Sequence, residues 1–305
     1  MSARVAVLWA GAAAGLCAHM SAQQDPALVA AFDAAAQAYR AAEPAQRAVR
    51  AAAASSAFLR LPEGSARAQR LRVGAEATLD AGRVELALRL TAPSPNGALP
   101  EGLLTVHLRA LARAGRLREL YRLVEQRDAS SPAEVAAALR AEEARLLPLA
   151  AGALRGPDRP VGRGVFERLH ALEPFRSYRA ANLGLCLRQI GDLESAERVY
   201  RAGLARAPED LELWNDFGLL LRASGRRAEA LAAFRESVRL DLARPAAARA
   251  KGPAITNLVH MEALEPGAAG ADPIPTALRS LAQRPDAIML RRVTLDVLLD
   301  RALPR

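Results

Sequence analysis

The sequence predicts an all-α fold, an α-solenoid of stacked antiparallel helix hairpins. Three observations predict it. Alanine, leucine, arginine and glutamate dominate the 305 residues while aromatic residues make up only 4%, a composition that favours helix. Several stretches read as helix, glycine, helix, with the glycine where a left-handed cap residue is wanted. Finally, residues 177–210, "SYRAANLGLCLRQIGDLESAERVYRAGLARAPED", lie without a gap over residues 211–244, "LELWNDFGLLLRASGRRAEALAAFRESVRLDLAR", a period of 34. One supersecondary unit is written twice.

Taken in order, residues 1–22 read as an export signal. "MSAR" is a short positive start, "VAVLWAGAAAGLCA" an apolar run too short to span a bilayer comfortably, and "HMSAQQDP" a polar exit with small residues. Cleavage is expected after Ala22, with Ala18 as the alternative because Met20 is a poor residue two places before Ala22. Cys17 lies in "AGLC", which departs from the leucine-small-small-cysteine pattern of a lipid anchor. Removal of the signal leaves Cys186 as the lone cysteine, so no intrachain disulfide is expected. No other stretch is apolar and long enough for a membrane span, and an uncleaved signal is the only anchor expected.

Residues 23–92 are expected to form hairpins. "DPALVAAFDAAAQAYRAAEPAQRAVRAAAASSAFLRL" supplies two alanine-rich helices, the first started by Asp25 and Pro26, and "LRVGAEATLDAGRVELALRL" turns at Gly82. Residues 93–100, inside "TAPSPNGALPEG", read as a linker. Residues 101–176 continue with degenerate hairpins. "LLTVHLRALARAGRLRELYRLVE" turns at Gly115; "SSPAEVAAALRAEEARLLPLA" starts a helix with Ser131, Pro132 and Glu134; "RGPDRPVGRG" reads as a loop, and "VFERLHALEPF" as the helix that follows it.

In the duplicated pair, Ala180, Leu183, Gly184 and Leu187 align with Trp214, Phe217, Gly218 and Leu221, one apolar face of a first helix. Gly191 and Gly225 end those helices. Ala196, Tyr200 and Gly203 align with Ala230, Phe234 and Ser237 on a second helix. Small residues at Gly184, Gly218, Ala196 and Ala230 allow the helices to approach closely. Residues 245–305 lack this spacing and are expected to be capping helices over the end of the stack, with an apolar stripe at Leu290, Val293, Val297 and Leu298.

These residues resemble the tetratricopeptide repeat, about 34 residues long with the pattern tryptophan, leucine-glycine, tyrosine, alanine, phenylalanine, proline. Pro208 stands at the terminal proline of the first copy and Leu242 replaces it in the second. Phe166, Leu169 and Pro174 lie 34 residues before Tyr200, Gly203 and Pro208. The resemblance implies a tetratricopeptide-like superhelix that is a non-catalytic protein-protein interaction scaffold. Its ligands would bind the concave face lined by the first helices, and an export signal would place it in the periplasm or cell envelope. The residues beside the buried stripe there are Tyr178, Ala181, Asn182, Leu185, Arg188 and Gln189, then Glu212, Asn215, Asp216, Leu219 and Arg222. Asn182 and Asn215 lead this set because an amide can bond a peptide backbone as donor and acceptor. Arg188 and Arg222 could hold a carboxylate with two bonds. The family's clamp for chaperone C-terminal carboxylates is absent, since Ala181, Leu185, Glu212 and Asp216 stand where it needs basic residues and an asparagine.

Other chemistry finds little support. The net charge is +9 and the pI near 10.7, but the arginines are scattered beside acids rather than clustered, so nucleic-acid binding is not expected. His107, His170 and His260 fall on three different helices without a second histidine at ligand spacing, and no metal or cofactor is expected. "HMEALE", with Glu262 and Glu265 after His260, is not a zinc motif. Cys186 between Leu185 and Leu187 reads as a buried small hydrophobe. The alternative function is that of a structural envelope protein that self-assembles into a homo-oligomer through the C-terminal apolar stripe; a helical enzyme with His, Glu and Cys186 in one pocket and an arginine-driven binder of anionic polymers stand behind it.

Overall fold

The computed structural model describes residues 25–94, 99, 102–127, 129–244, 257, 258 and 261. The expected signal, most of the linker, His260, Glu262, Glu265 and the C-terminal apolar stripe lie outside the described residues. Within them the chain forms 13 helices and no strand. It divides into two compact units, Met1–Leu149 and Ala150–Arg305.

The first unit holds α1 (Pro26–Arg40), α2 (Pro44–Leu59), α3 (Ser65–Asp80), α4 (Val84–Leu90), α5 (Leu104–Arg113), α6 (Leu117–Arg127) and α7 (Pro132–Ala141), and the start of α8 (Glu143–Ala153). Asp25 caps α1, its carboxylate accepting the Ala27 N–H at 2.9 Å. Consecutive helices pack as hairpins, and α1, α3, α5 and α7 also touch one another in series. That alternation is what a stack of hairpins requires. Its core begins with Phe32, Ala36, Phe58 and Leu61, the two rings 5.7 Å apart. Gly74 on α3 lies under the Phe58 ring so closely that an added Cβ would overlap it.

The second unit holds α9 (Arg159–Leu172), α10 (Ser177–Gln189), α11 (Leu193–Arg206), α12 (Leu211–Ala223) and α13 (Arg227–Ala243). Here the duplicated pair becomes two hairpins, α10–α11 and α12–α13, with α12 packed on both α10 and α11. Ala180, Leu183, Gly184, Leu187, Ala196 and Tyr200 are buried in the first hairpin, and Phe217, Gly218, Leu221, Ala230 and Phe234 in the second. The same packing device appears in both. A Cβ on Gly184 would come within 2.5 Å of the Tyr200 ring, and one on Gly218 within 2.6 Å of the Phe234 ring.

Four hairpins share one turn. Gly82, Gly115, Gly191 and Gly225 have φ of +78°, +72°, +84° and +74°, the left-handed region that glycine enters without penalty. In each, the N–H of the next residue bonds back to a carbonyl five residues earlier, as from Asp192 to Leu187 and from Arg226 to Leu221, both at 2.9 Å. The repeat-like hairpins of the first unit therefore turn as the clear repeats do.

The sequence reading needs three corrections. The stretch "SSPAEVAAALRAEEARLLPLA" is two helices, α7 and α8, broken at Glu142. The helix starts at Pro132 as expected, but the Ser131 side chain makes no cap bond. At the break stands Glu142, whose side chain is 3% exposed and meets Arg109 at 3.2 Å, Arg113 at 2.9 Å and Arg145 at 3.3 Å. The loop "RGPDRPVGRG" is mostly helix: α9 starts at Arg159, with Pro160 in its first turn where no N–H is needed. Gly162 is required there because a Cβ would come within 2.5 Å of the Ala150 carbonyl oxygen. The third concerns Trp214, placed in the repeat core by its alignment with Ala180. It is only half-buried, while its neighbour Leu213 is fully buried against Gly203. The indole carries an N–H that needs an acceptor, and at the rim it donates to the Pro208 carbonyl at 2.8 Å.

Candidate functional site

The face formed by α10 and α12 carries the residues singled out from the sequence. Tyr178, Gln189, Glu212 and Arg222 are exposed; Ala181, Asn182, Leu185, Arg188, Asp216 and Leu219 are half-buried. Asn215 differs from expectation. It is 5% exposed, its amide oxygen accepting from Asn257 Nδ2 at 2.9 Å and its Nδ2 donating to Asp216 Oδ1 at 3.3 Å. A leading contact for a partner is thus spent on the chain itself.

Tyr178 is the exposed aromatic of this face, at 44%. A residue that sequence reading missed holds it. The Arg179 guanidinium is buried, donates to the Leu169 carbonyl at 2.7 Å and pairs with Glu173 at 3.3 Å. Its Nε donates to the Tyr178 hydroxyl at 3.0 Å. Nothing in the helical pattern marks Arg179, since a buried arginine at a position flanking the stripe is defined by its acceptors alone. Phe175, also unremarked, is exposed two residues before α10 begins, and so adds a second aromatic to this end.

Asp216 is the electrostatic anomaly of the face. Burial pushes its carboxyl up to about 6; the Asn215 amide and the Arg188 charge pull the other way, while Glu212 and Asp210 add to the rise. The Tyr200 hydroxyl is raised by the same burial and by the Asp216 charge, with the Arg188 guanidinium pulling it the other way. The Tyr200 ring stacks at 6.2 Å from Phe217, and Trp214 at 6.3 Å from the same ring. Ionised Asp216 therefore weakens the fold it sits in.

The sign of that effect is testable. A folded-state pKa above the ordinary 3.8 means the native state holds the proton that the unfolded chain releases. The stabilising effect of that proton is present below about pH 4 and is lost as pH rises through about 6. Asp216→Asn is expected to raise unfolding free energy at pH 8 by about 1–2 kcal/mol, the upper end set by two pKa units and reduced for partial solvation. Urea unfolding at pH 4, 6 and 8 checks it, and the gain should vanish at pH 4.

The remaining candidates are ordinary. Burial lowers His107, whose Nδ1 shares a 2.8 Å hydrogen bond with the Thr91 hydroxyl, and lowers His170. Burial raises the Cys186 thiol to about 11, which leaves it unreactive at neutral pH. Among the described residues no cluster of histidine, cysteine and carboxylate side chains could hold a metal, and no helix is long and apolar enough to cross a membrane. In a depression of the first unit beside Phe32, Gln37 and Val73, Arg70 meets Asp33 at 2.8 and 2.7 Å, with Arg40 also on the lining.

Paired antiparallel helices, a left-handed glycine at four of the hairpin turns and first helices packed in series define a helical-repeat protein-interaction scaffold. The repeats themselves are tetratricopeptide repeats: residues 180–210 and 211–244 each match that family's model. No curated protein matches the chain. Among solved structures, MamA (AMB-1) is similar at 17% identity over 59% of this chain and 94% of its own, with a TM-score of 0.43. MamA from Desulfovibrio magneticus RS-1 is similar at 18% identity over 67% of this chain and 96% of its own, with a TM-score of 0.37. The APC/C hetero-tetramer Cut9–Hcn1 matches at 15% identity over 87% of this chain and 59% of that one, also at 0.37.

Proposed function

We propose that the chain is an exported adaptor whose α10–α12 face takes an extended peptide or partner helix of a protein in the cell envelope. The observation that carries this reading is the polar set left partly open on the face that the repeat class uses for ligands, Asn182, Arg188 and Asp216 half-buried and Arg222 exposed. The anchored Tyr178 on the same face offers a rigid aromatic contact at low entropic cost. Asn182, Arg188 and Arg222 supply adaptable polar contacts, and the mixture of Glu212, Asp216 and arginine charges would select among partners. Export rests on the pattern of residues 1–22.

Affinity capture from envelope extract tests it, using the mature chain beside a Tyr178→Ala/Asn182→Ala/Arg222→Ala variant checked for unchanged helicity. A specific protein retained by the parent and reduced about tenfold or more by the variant is expected, since hot-spot truncations together exceed about 1.4 kcal/mol. Equal capture by both would move the site off this face. Recovery of the chain itself as the captured species would identify assembly between copies. N-terminal sequencing of the secreted form should begin at Gln23.

A further inference from the structure

Three described residues lie beyond the second repeat, and two of them bond to it. Asn257 Nδ2 donates to Asn215 Oδ1 at 2.9 Å, across 42 residues of chain. The Met261 carbonyl oxygen accepts from Arg227 Nη2 at 3.3 Å. Leu258 is 0% exposed and Met261 4%, and their spacing of three puts both on one side of a helix, the state recorded at each of the three positions. This is the relation α12 bears to the hairpin before it, where Leu213 is fully buried against Gly203 of α11. A first helix sits on the preceding pair and buries its apolar side there.

We infer that Asn257 and Met261 seat on α12 and α13 and reserve Asn215 for the chain itself. Docking of this segment and a partner's contact at Asn215 exclude each other. The occupant is specified by both kinds of contact: an amide pair gives direction, and two buried apolar side chains give the adhesion. The usable groove then ends at α12, and a partner reaching further must first displace the segment. Asn215→Ala should accordingly weaken the α12–α13 hairpin without reducing partner capture, which separates this inference from the groove reading above.

Cross-linking in the full chain tests it. Asn215→Cys and Asn257→Cys are introduced together with Cys17→Ser and Cys186→Ser, and the protein is treated with a short bis-maleimide. A cross-linked monomer on a denaturing gel is expected, at a yield independent of protein concentration. A cross-linked dimer would show the segment seated on a second copy, and no cross-link would show it elsewhere; either overturns the inference. In parallel, hydrogen exchange of the full-length Leu258→Asp variant should be about tenfold faster or more across α12 and α13, with α10 unchanged. Unaltered exchange there would contradict the docking even if the cysteine variant failed to fold.

Discussion

Phe234→Ala is expected to destabilise the second unit by about 3–5 kcal/mol, the usual cost of emptying a buried phenylalanine site. The ring is fully buried and lies flat against Gly218, where a Cβ would come within 2.6 Å of it. That geometry predicts a reversal of sign. Gly218→Ala alone should cost about 1–3 kcal/mol, because the ring is enclosed and cannot retreat. In the Phe234→Ala background the obstruction is gone, and the same change should gain up to about 1 kcal/mol from alanine's better helix propensity. Denaturant unfolding of the four proteins closes the cycle, and a coupling near zero would mean that the ring and the glycine do not meet.

The second large effect lies in the first unit. Asp80 receives the Tyr39 hydroxyl at 2.7 Å and pairs with Arg109 at 3.1 Å, Arg113 at 3.2 Å and Arg47 at 3.4 Å. Arg109 and Arg113 also hold Glu142, and Arg113 donates to the Leu79 carbonyl at 3.0 Å. Burial alone would raise the Asp80 carboxyl, but the Tyr39 hydrogen bond and the Arg109, Arg113 and Arg47 charges outweigh it and hold it below the ordinary value. Asp80→Ala removes the acceptor of the Tyr39 hydroxyl and leaves Arg109 and Arg113 sharing Glu142, so a loss of about 2–4 kcal/mol is expected. Because the folded-state pKa is depressed, this stabilisation is present above the ordinary pKa near 4 and is lost as pH falls below it. Thermal unfolding of parent and variant should therefore differ most at pH 7 and converge toward pH 2. A difference that did not shrink on acidification would assign the loss to packing instead.

The two effects differ in how visible they are in the amino-acid sequence. Gly218 and Phe234 stand at fixed offsets repeated by Gly184 and Tyr200, and a period-34 duplication exposes them directly. Phe58 on Gly74 uses the same device in the first unit, yet it occurs once there, with the aromatic before the glycine, and no repetition marks it. Asp80 and Glu142 look like two of many acids among scattered arginines. Their importance comes from convergence of helices 29 and 33 residues apart in the chain.

At the candidate site the division is similar. Asn182, Arg188 and Asp216 were legible as flanking the buried stripe, because a helix of 3.6 residues per turn fixes which positions adjoin it. The stripe does not decide how deep its edge lies. Trp214 is pushed to the rim by its size and its indole N–H, Leu213 takes the depth, and Asn215 is covered by a side chain that reaches it from position 257. The sequence by itself determined an all-α chain, the hairpin turns at Gly82, Gly115, Gly191 and Gly225, and the small residues at Gly184, Gly218, Ala196 and Ala230 where helices approach, since each follows from periodicity, backbone conformation and side-chain size over a few tens of residues. Only the tertiary structure decided which charges are locked together, where the helix breaks at Glu142, and which face residues remain open, because burial and hydrogen-bond partners are set by neighbours that local spacing does not encode.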